Sequence, residues 1–323
     1  MKILVTGAGG FIGSHLCEEL VKQGHNVRAL IHYNSRNNWG WLESSPFISN
    51  MEIVSGNVRD YDSVKKCLKE VDLVFHLAAL IGIPYSYVSP LAYIKTNLEG
   101  TYNICQAAAE LDTKKVVITS TSEVYGTARY VPIDEDHPLQ AQSPYSATKI
   151  AADQLGLSYY RSFGLPISIV RPFNTYGPRQ STRAIIPTII TQILGEEKAV
   201  RLGSLTPTRD LNFVRDTVKG MISVGFSEKC IGEIVNLGSG SEISIGDLVK
   251  LIEKISGIKT EIEIDPPRIR PGASEVERLL CDNKKAFALT GWKPQFALEE
   301  GLGATIEWFA QNTRQYKSGL YTV

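Results

Sequence analysis

Cysteine and histidine are both scarce in this sequence, and neither shows a pairing pattern. The chain has five cysteines and five histidines among 323 residues, and no two cysteines form a CxxC motif. Disulfide-stapled domains and zinc sites both depend on closely spaced ligand pairs. We therefore expect reduced, buried thiols and no metal site.

The chain also lacks a charge excess and a long apolar run. Lysine plus arginine and aspartate plus glutamate number 34 each, which argues against a non-specific nucleic-acid binder or a membrane-surface protein. No apolar run approaches the roughly 20 residues of a membrane span. The first residues, MKILVTG, predict a strand and not a signal peptide. The expected location is the cytoplasm, with neither nucleic acid nor membrane as a partner.

Short aliphatic runs alternate with amphipathic stretches through the first half of the chain. The strand-like runs lie at 2–6, 27–31, 52–55, 71–79, 115–119 and 167–171. The helix-like stretches between them lie at 12–23, 61–69, 89–112 and 145–163. Strands that alternate with helices are typical of a parallel sheet covered on both faces. The sequence thus predicts an α/β fold with a doubly wound parallel sheet, the Rossmann arrangement.

A glycine-rich loop follows the first strand. The segment TGAGGFIGSHL (6–16) places Gly7, Gly10 and Gly13 three residues apart, between a strand and a helix. The first glycine permits a tight turn, the second lets the backbone approach a pyrophosphate, and the third lets the helix pack on the strand. The helix N-terminus then favours the anion through its free N–H groups and its dipole. This context predicts a dinucleotide site.

The regular alternation ends after Pro172, and loops rich in arginine, proline and threonine follow. The helices of this half are expected at 183–195, 214–226, 245–256 and 297–311. An aliphatic run at 234–238, IVNLG, indicates that the chain returns to the sheet once. We predict a dinucleotide-binding domain at 1–172, to which about 213–238 returns. The remainder, 173–212 and 239–323, is expected to form a smaller C-terminal α/β substrate-binding lobe.

The region after the second strand leaves the choice of dinucleotide open. An acidic residue about 20 residues beyond the glycines usually holds the adenine ribose hydroxyls. Here His32, Tyr33 and Asn34 occupy that region. Asn34 could hold a ribose hydroxyl, or Arg36 could meet a 2′-phosphate, so both NAD and NADP stay possible.

A tyrosine and a lysine stand at the start of a predicted helix, in SPYSATK (143–149). The four-residue spacing of Tyr145 and Lys149 puts both side chains on one helix face. Because an ammonium beside a phenol favours the phenolate, we expect the pKa of Tyr145 to fall from near 10 toward neutrality. The upstream segment TSTSEVYG (119–126) adds the Thr121 hydroxyl and the Glu123 carboxylate. Together these side chains predict a catalytic site.

As a set, these motifs resemble the extended branch of the short-chain dehydrogenase/reductase family. The likeness rests on GxxGxxG, on the Thr121, Tyr145 and Lys149 set, and on RPFNTYGPRQ (171–180). It covers the chain from Gly7 to about Asn283. It implies a nucleotide-sugar substrate that is oxidised at carbon 4 by NAD or NADP, tightly bound and regenerated in each turnover.

The resemblance also implies which residues contact each ligand. Cofactor contacts are expected from Gly7, Gly10, Phe11, Ile12, Gly13, Asn34, Arg36, Asn57, Val58, Leu77, Ala78, Ala79, Asn97, Tyr145 and Lys149. Substrate contacts are expected from Ser86, Asn174, Arg179, Arg209, Arg270 and Glu275. Guanidinium groups suit a diphosphate, and a carboxylate suits ribose hydroxyls. Asn97 is expected to brace Lys149 through water, and His76 to be a packed histidine.

Within this family, Thr121, Ser122 and Glu123 resemble the Thr-Ser-Glu form of sugar-nucleotide 4,6-dehydratases. A ketone at carbon 4 acidifies the hydrogen on carbon 5, so a carboxylate can remove that proton while water leaves from carbon 6. The resemblance therefore assigns Glu123 as the base for the elimination. Ser122 stands where some dehydratases have an aspartic acid that protonates the departing hydroxyl, so Glu123 or a water would have to supply that proton.

Two other activities of the family stay open as alternatives. Relatives that decarboxylate UDP-glucuronate also carry the Thr-Ser-Glu form, and sugar-nucleotide 4-epimerases work without the carboxylate. A non-catalytic dinucleotide-binding protein is disfavoured, because such proteins usually lose the tyrosine or the lysine and both are present here.

Two further segments resemble a narrower group, the 4,6-dehydratases of legionaminic acid pathways. They are RNNWGWL (36–42) and ALIGIPYSYVSP (79–90). This likeness implies UDP- or GDP-linked N-acetylglucosamine as the substrate and a 4-keto-6-deoxy sugar for surface glycans as the product. Members of the wider family commonly dimerise through two long helices, here near 89–112 and 145–163, so a homodimer is expected.

Overall fold

A parallel sheet forms the centre of the computed structural model, which describes residues 1–195, 197, 199–312 and 316. The strands are β1 (Lys2–Thr6), β2 (Asn26–His32), β3 (Met51–Gly56), β4 (Leu73–His76), β5 (Lys115–Thr119), β6 (Ile167–Pro172), β7 (Asn174–Tyr176), β8 (Ala199–Leu202), β9 (Thr208–Phe213), β10 (Ile234–Leu237), β11 (Glu242–Ser244), β12 (Glu261–Ile264) and β13 (Arg278–Leu279). Seven of them pair in the order β10-β6-β5-β4-β1-β2-β3, all parallel. The predicted doubly wound α/β fold is confirmed.

Helices cover both faces of this sheet. They are α1 (Phe11–Lys22), α2 (Tyr61–Leu68), α3 (Ile83–Val88), α4 (Pro90–Tyr93), α5 (Gly100–Glu110), α6 (Pro144–Phe163), α7 (Ile185–Leu194), α8 (Val214–Phe226), α9 (Ile245–Ser256), α10 (Lys284–Thr290) and α11 (Leu298–Asn312). Leu16 of α1 and Met221 of α8 belong to one buried apolar cluster. Val64 of α2, Ile104 of α5 and Leu157 of α6 belong to another. None of the described helices has both the length and the apolar character to cross a membrane.

The second half of the chain adds two small sheets. In one, β9 pairs with β7, β11 and β13, and in the other β8 pairs with β12. Between these elements the chain returns to the central sheet, where β10 pairs with β6, as expected from the run at 234–238. The division into two domains stays a prediction, and residues 313–315 and 317–323 of the predicted lobe lie outside the described residues.

Two expected elements differ from the prediction. The strand expected at 71–79 ends at His76, because the N–H groups of Leu77 and Ala78 donate to the Thr6 hydroxyl and not to a neighbouring strand. The helix expected at 89–112 is interrupted by a π-helical segment, Ile94–Glu99, between α4 and α5. Single π-helical turns are frequent at functional sites. This one contains Asn97, whose contacts lie in the candidate site.

Candidate active site

The predicted site residues gather at the carboxyl ends of β1, β4 and β5. The chain winds from β1 toward β2 and β3 on one side and toward β4, β5 and β6 on the other. In open parallel sheets, ligands bind in the crevice outside the strand ends where this winding direction changes. The glycine loop follows β1, residues 77–79 follow β4, and 120–126 follow β5.

The glycine loop has the conformation that its spacing predicts. Gly7 has φ +69°, and a Cβ atom there would lie 2.9 Å from the backbone nitrogen of Ala78. A Cβ atom at Gly13 would lie 2.2 Å from the Gly7 carbonyl oxygen, so α1 packs directly on the turn. Gly10 is the N-cap of α1 and supplies no side-chain cap. The first N–H groups of this helix therefore suit a pyrophosphate, and the loop fits a dinucleotide.

We expect Gly13→Ala to weaken both the fold and dinucleotide binding. The added methyl group has no room against Gly7, so overpacking should lower the free energy of unfolding by about 1–3 kcal/mol. Thermal denaturation and calorimetric titration with NAD and NADP measure the two effects. Gly303→Ala in α11 is the matched control, because a Cβ there meets no atom of the described residues within 4 Å. Equal stability and dinucleotide affinity in Gly13→Ala and wild type would contradict the role given to Gly13.

A buried hydrogen-bond network fixes the segment after β4. The Thr6 hydroxyl accepts from the N–H groups of Leu77 and Ala78 and lies 2.8 Å from Nδ1 of His76. Since both acceptor positions of that hydroxyl are used, its proton goes to Nδ1. Nε2 of His76 then carries the ring proton and faces the Thr101 hydroxyl at 3.3 Å. Burial and the Lys149 charge lower the pKa of His76 to about 3, so it is the neutral, packed histidine that was expected.

The loop after β2 uses the side chain of Asn34 for its own structure. The Asn34 amide donates to the carbonyls of His32 and Asn38 and accepts from the N–H groups of Arg36 and Asn38. A ribose hydroxyl would have to compete with these bonds. Arg36 is exposed at the rim of the same loop. Their cofactor roles stay predictions.

Three further cofactor candidates lie beside this crevice, Asn57 and Val58 in the loop after β3 and Asn97 in the π-helical segment. The side-chain oxygen of Asn57 accepts from the backbone and side chain of Arg59. The Val58 carbonyl accepts from Asn103 of α5. Asn97, which is 1% exposed, bonds to both backbone groups of Leu80 and donates to the Thr148 hydroxyl at 3.1 Å. Asn97 thus connects the segment after β4 to α6 at the residue before Lys149.

The start of α6 positions Tyr145 and Lys149. Ser143 caps the helix in a reciprocal capping box with Ser146, and Pro144 occupies the first turn. Both are typical helix-start features. Tyr145 is 6% exposed and Lys149 is 5% exposed. The Lys149 ammonium donates to the Thr119 carbonyl at the end of β5, with a distance of 2.6 Å.

The prediction that the pKa of Tyr145 is lowered is wrong, because the pKa is raised in this structure. Burial is the largest influence, and it raises the pKa of Tyr145 well above its usual value. A hydrogen bond with Thr121 opposes this, whereas the negative charge of Glu123 adds to it. Burial also lowers the pKa of Lys149, to about 8. In an apolar site both groups favour their neutral forms, and the sequence spacing does not reveal that burial.

Glu123 lies in a short 3₁₀ turn (Ser122–Tyr125) between the tyrosine and an arginine of the second half of the chain. Thr121 caps this turn, accepting a hydrogen bond from the Glu123 N–H at 3.2 Å. The Glu123 charge raises the pKa of Tyr145, and it also raises that of Arg209, although burial lowers the latter overall. Glu123 is therefore close to both groups. Ser122 beside it is buried.

One carboxylate oxygen of Glu275 is contacted by two arginines, Arg209 and Arg270. Nη2 of Arg209 lies 3.1 Å from Oε1 of Glu275, and Nη1 of Arg270 lies 3.5 Å from the same atom. The structure thus brings three of the six predicted substrate residues together, with Glu123 close to Arg209. The two guanidinium groups and the Glu275 carboxylate form one ion-pair cluster, on which the Glu123 charge also acts.

The other three predicted substrate residues make different contacts. Arg179 forms an ion pair with Glu18 of α1 at 2.8 Å and donates to the Ser14 hydroxyl. Ser86 is fully buried, and its hydroxyl donates to the Ile83 carbonyl inside α3. Asn174 has a buried side-chain oxygen that finds no hydrogen-bond partner among the described residues. Asn174 therefore keeps a buried acceptor that no described residue uses.

Tyr93 is a residue of the site that no sequence motif indicated. Its ring packs edge-on against Tyr145 with centroids 6.2 Å apart, and its hydroxyl donates to the Gly82 carbonyl at 2.5 Å. It forms an apolar wall of the site with Ile83 and Leu80. The interruption of the predicted long helix places it there, and no motif signals that interruption.

The arrangement of glycine loop, tyrosine, lysine and carboxylate can be compared with known proteins. The sequence model of the family described as GDP-mannose 4,6 dehydratase matches residues 4–305. The chain belongs to the GDP-mannose 4,6-dehydratase family. The expected likeness to the extended dehydrogenase/reductases is thereby confirmed at the level of the family, and the legionaminic acid subgroup stays a prediction.

Curated members of the GDP-mannose 4,6-dehydratase family that resemble this chain have different activities. A UDP-glucose 4-epimerase from Mycolicibacterium smegmatis is 34% identical over 319 residues, covering 97% of this chain and all of the relative. A UDP-N-acetyl-alpha-D-glucosaminuronate decarboxylase from Bacillus cytotoxicus is 34% identical over 321 residues, covering 96% and 98%. The family therefore contains enzymes of more than one reaction type.

Solved structures from the same family superpose over nearly the whole chain. A UDP-glucuronic acid 4-epimerase from Bacillus cereus, in complex with UDP-glucuronic acid and NAD, has a TM-score of 0.88 and 31% identity, covering 97% of this chain and all of that one. A double mutant of dTDP-glucose 4,6-dehydratase from Streptomyces venezuelae, with NAD bound, has a TM-score of 0.89 and 28% identity, covering 98% and 99%. These likenesses confirm the expectation of a NAD(P) cofactor, with the choice between NAD and NADP still a prediction.

Proposed function

We propose that this enzyme is a sugar-nucleotide 4,6-dehydratase that makes a 4-keto-6-deoxy sugar. The observation that carries the proposal is Glu123, a half-buried carboxylate whose charge acts on the buried Tyr145 phenol. A 4-epimerase needs no base beyond the tyrosine. A carboxylate beside the reacting sugar is required when a second proton, that on carbon 5, must be removed.

The proposed reaction gives each of the gathered side chains a role. NAD(P), held at the glycine loop of Gly7, Gly10 and Gly13, would supply the hydride acceptor for carbon 4 and the hydride donor for carbon 6. Tyr145 takes the proton of the carbon-4 hydroxyl, the Lys149 ammonium stabilises the resulting phenolate, and Thr121 donates a hydrogen bond to the carbon-4 oxygen. Glu123 takes the carbon-5 proton, which the new ketone has acidified. The carbon-6 hydroxyl then leaves as water, with its proton supplied by Glu123 or by a water molecule. Carbon 5 takes a proton back from solvent as the hydride arrives at carbon 6, and Tyr145 releases to solvent the proton that it took.

The diphosphate of the substrate is proposed to bind at Arg209 and Arg270. Both guanidinium groups already share Glu275, so their side chains are oriented before a ligand arrives. A phosphate can accept charge-assisted hydrogen bonds from both, and Glu275 is left to accept from a ribose hydroxyl.

We expect Arg209→Gln to raise the KM for the sugar nucleotide by about 10- to 100-fold, because a hydrogen bond between charged groups contributes about 1.5–3 kcal/mol. The affinity for NAD(P) should not change. Steady-state kinetics and dinucleotide titration measure these quantities. Arg201→Gln is a matched control, because Arg201 is an exposed partner of Glu263 on the β8–β12 sheet. A KM equal to that of wild type would argue against Arg209 as a phosphate ligand.

The deciding experiment is mass spectrometry of purified enzyme incubated with UDP- and GDP-N-acetylglucosamine, UDP-glucose and UDP-glucuronic acid. A product lighter by one water supports dehydration and identifies the nucleotide. A product lighter by one carbon dioxide would make the enzyme a decarboxylase. An isomer of unchanged mass, separated by chromatography, would make it a 4-epimerase.

The identity of the substrate, the cellular location and the oligomeric state are narrower proposals. We propose UDP- or GDP-N-acetylglucosamine as the substrate, on the likeness of residues 36–42 and 79–90 to the legionaminic acid subgroup. A cytoplasmic homodimer is proposed because members of the wider family commonly dimerise through two long helices. The first of these regions, 89–112, carries exposed apolar side chains, among them Leu91, Ile94 and Tyr102. Light scattering of the purified protein tests the dimer.

A further inference from the structure

Asp153 is a buried charged residue that the proposed reaction does not use. It lies on α6, four residues after Lys149, so Tyr145, Lys149 and Asp153 follow one helix face at i, i+4 spacing. Its relative exposure is 0%. An ionised group is seldom buried so completely without a specific partner.

The contacts of Asp153 are those of a carboxylate. Its Oδ2 accepts from the Ser120 hydroxyl at 2.8 Å and from Nε and Nη2 of Arg171, each at 3.0 Å. Three donors on one oxygen stabilise the charged form, although burial raises the pKa of this carboxyl. The other oxygen, Oδ1, is buried and has no hydrogen-bond partner within the described part of the chain. The carboxylate behind the site is therefore one half of an ion pair with Arg171, with part of its bonding capacity unused.

The backbone links this carboxylate to the lysine. Lys149 donates to the carbonyl of Thr119, and the next residue, Ser120, donates its hydroxyl to Asp153. The end of β5 is thus held between the two side chains. The Asp153 charge also acts directly on Lys149, raising its pKa against the larger effect of burial.

We propose that Asp153 is a positioning residue that acts through Lys149, keeping the lysine protonated near neutral pH so that an ammonium faces Tyr145 when its phenolate forms. Removing one proton from a buried tyrosine–lysine pair can give either a phenolate beside an ammonium or a phenol beside an amine. Only the first can accept the proton of a sugar hydroxyl. The Asp153 charge raises the pKa of both groups, but Asp153 is four residues from Lys149 and eight from Tyr145 on α6, so its larger effect on the lysine favours the first form.

The other titratable groups around the pair do not supply this charge. His76 on β4 is neutral, with its pKa lowered to about 3. Tyr93 on α4 packs against Tyr145, and burial raises its pKa to about 12. Glu123 lies on the Tyr145 side, where its charge disfavours the phenolate. Arg171 on β6 is positive and is paired with Asp153 itself.

The test is the titration of Lys149 itself, read by NMR of protein labelled with ¹³C at the lysine ε carbons. The Lys149→Met spectrum assigns the signal. In wild type, Lys149 should titrate with an apparent pKa of about 8. In Asp153→Asn the midpoint should move toward acid by about one pH unit or more, since a nearby opposite charge shifts a pKa by about 1–3 units. The ammonium is present below the midpoint and lost above it, so its loss would begin at lower pH.

Two further variants separate this role from a packing role. Ser120→Ala removes one hydrogen bond to Asp153 but keeps its charge, so the melting temperature should fall while the Lys149 midpoint stays. If Asp153→Asn does not fold because Arg171 is left unpaired, the double variant Asp153→Asn, Arg171→Met removes both buried charges together. A Lys149 midpoint equal to wild type in whichever folded variant lacks Asp153 would overturn the proposal.

The inference rests on the proposed roles of Tyr145 and Lys149, and it does not depend on dehydration. Because the NMR titration needs no substrate, its outcome is independent of whether the enzyme proves to be a dehydratase. If substrate turnover is found, the alkaline limb of kcat should move toward acid in Asp153→Asn by the same amount. An unmoved limb alongside a lower melting temperature would assign Asp153 a packing role only.

Discussion

Glu123→Gln is expected to lower the rate of water loss by about 10²- to 10⁴-fold, the usual contribution of a positioned general base. The amide has nearly the same shape as the carboxylate but cannot take the carbon-5 proton. Oxidation at carbon 4 does not require Glu123, so substrate added to the variant should still generate reduced nicotinamide, which then persists. Rapid-mixing absorbance measures the reduced nicotinamide, and mass spectrometry measures the dehydrated product.

The matched control for this variant is Glu277→Gln. Glu277 is exposed and lies two residues after Glu275, so the same chemical change is made at the edge of the lobe. Its turnover should equal that of wild type. Undiminished dehydration by Glu123→Gln would remove the observation that carries the proposed function, and a decarboxylase or epimerase would then be the better assignment.

Tyr145→Phe should stop the reaction one step earlier. Without the phenol oxygen no group takes the proton of the carbon-4 hydroxyl, so oxidation at carbon 4 should slow by about 10²- to 10⁴-fold. Reduced nicotinamide should not accumulate, in contrast to Glu123→Gln. Since the phenol is buried and its hydrogen bond is with Thr121, removing one oxygen should leave the fold intact.

The comparison of the two variants is more informative than either alone. Binding of the sugar nucleotide, measured by calorimetry, should be nearly unchanged in both. Tyr160→Phe in the same helix serves as the control for loss of a phenol, because that side chain is partly exposed and far along α6 from the site. Accumulation of reduced nicotinamide in Tyr145→Phe at the wild-type rate would contradict its role as the base.

The central sheet was predictable from sequence because periodicity reports burial directly. Runs such as 116–118 are apolar throughout since parallel strands are covered on both faces, and β5 spans Lys115–Thr119 around them. The glycine loop was predictable because its spacing reflects short contacts, such as that of Gly13 with the Gly7 carbonyl. In both cases local sequence determines local geometry.

What escaped prediction depends on contacts between distant segments. The early end of β4 follows from hydrogen bonds to Thr6, about 70 positions earlier in the chain. The raised pKa of Tyr145 follows from burial under elements such as α4, and the spacing to Lys149 carries no information on burial. Asn34 was predicted to bind a ribose hydroxyl, but its amide forms hydrogen bonds within its own loop. Those bonds depend on the loop conformation, which the sequence does not reveal.

The return of the chain to the central sheet also limits how this enzyme can change. β9 and β11 belong to the small sheet that carries Arg209, yet β10 between them pairs with β6. An isolated β-bridge between Ile133 and Cys281 joins the two halves again, beside the 3₁₀ turn Ser122–Tyr125. No single cut therefore releases a substrate-binding module that could be exchanged for that of a relative. In such an architecture, new substrate preferences have to arise through substitutions of individual side chains around the site. Exchange of a whole substrate-binding domain would break the central sheet.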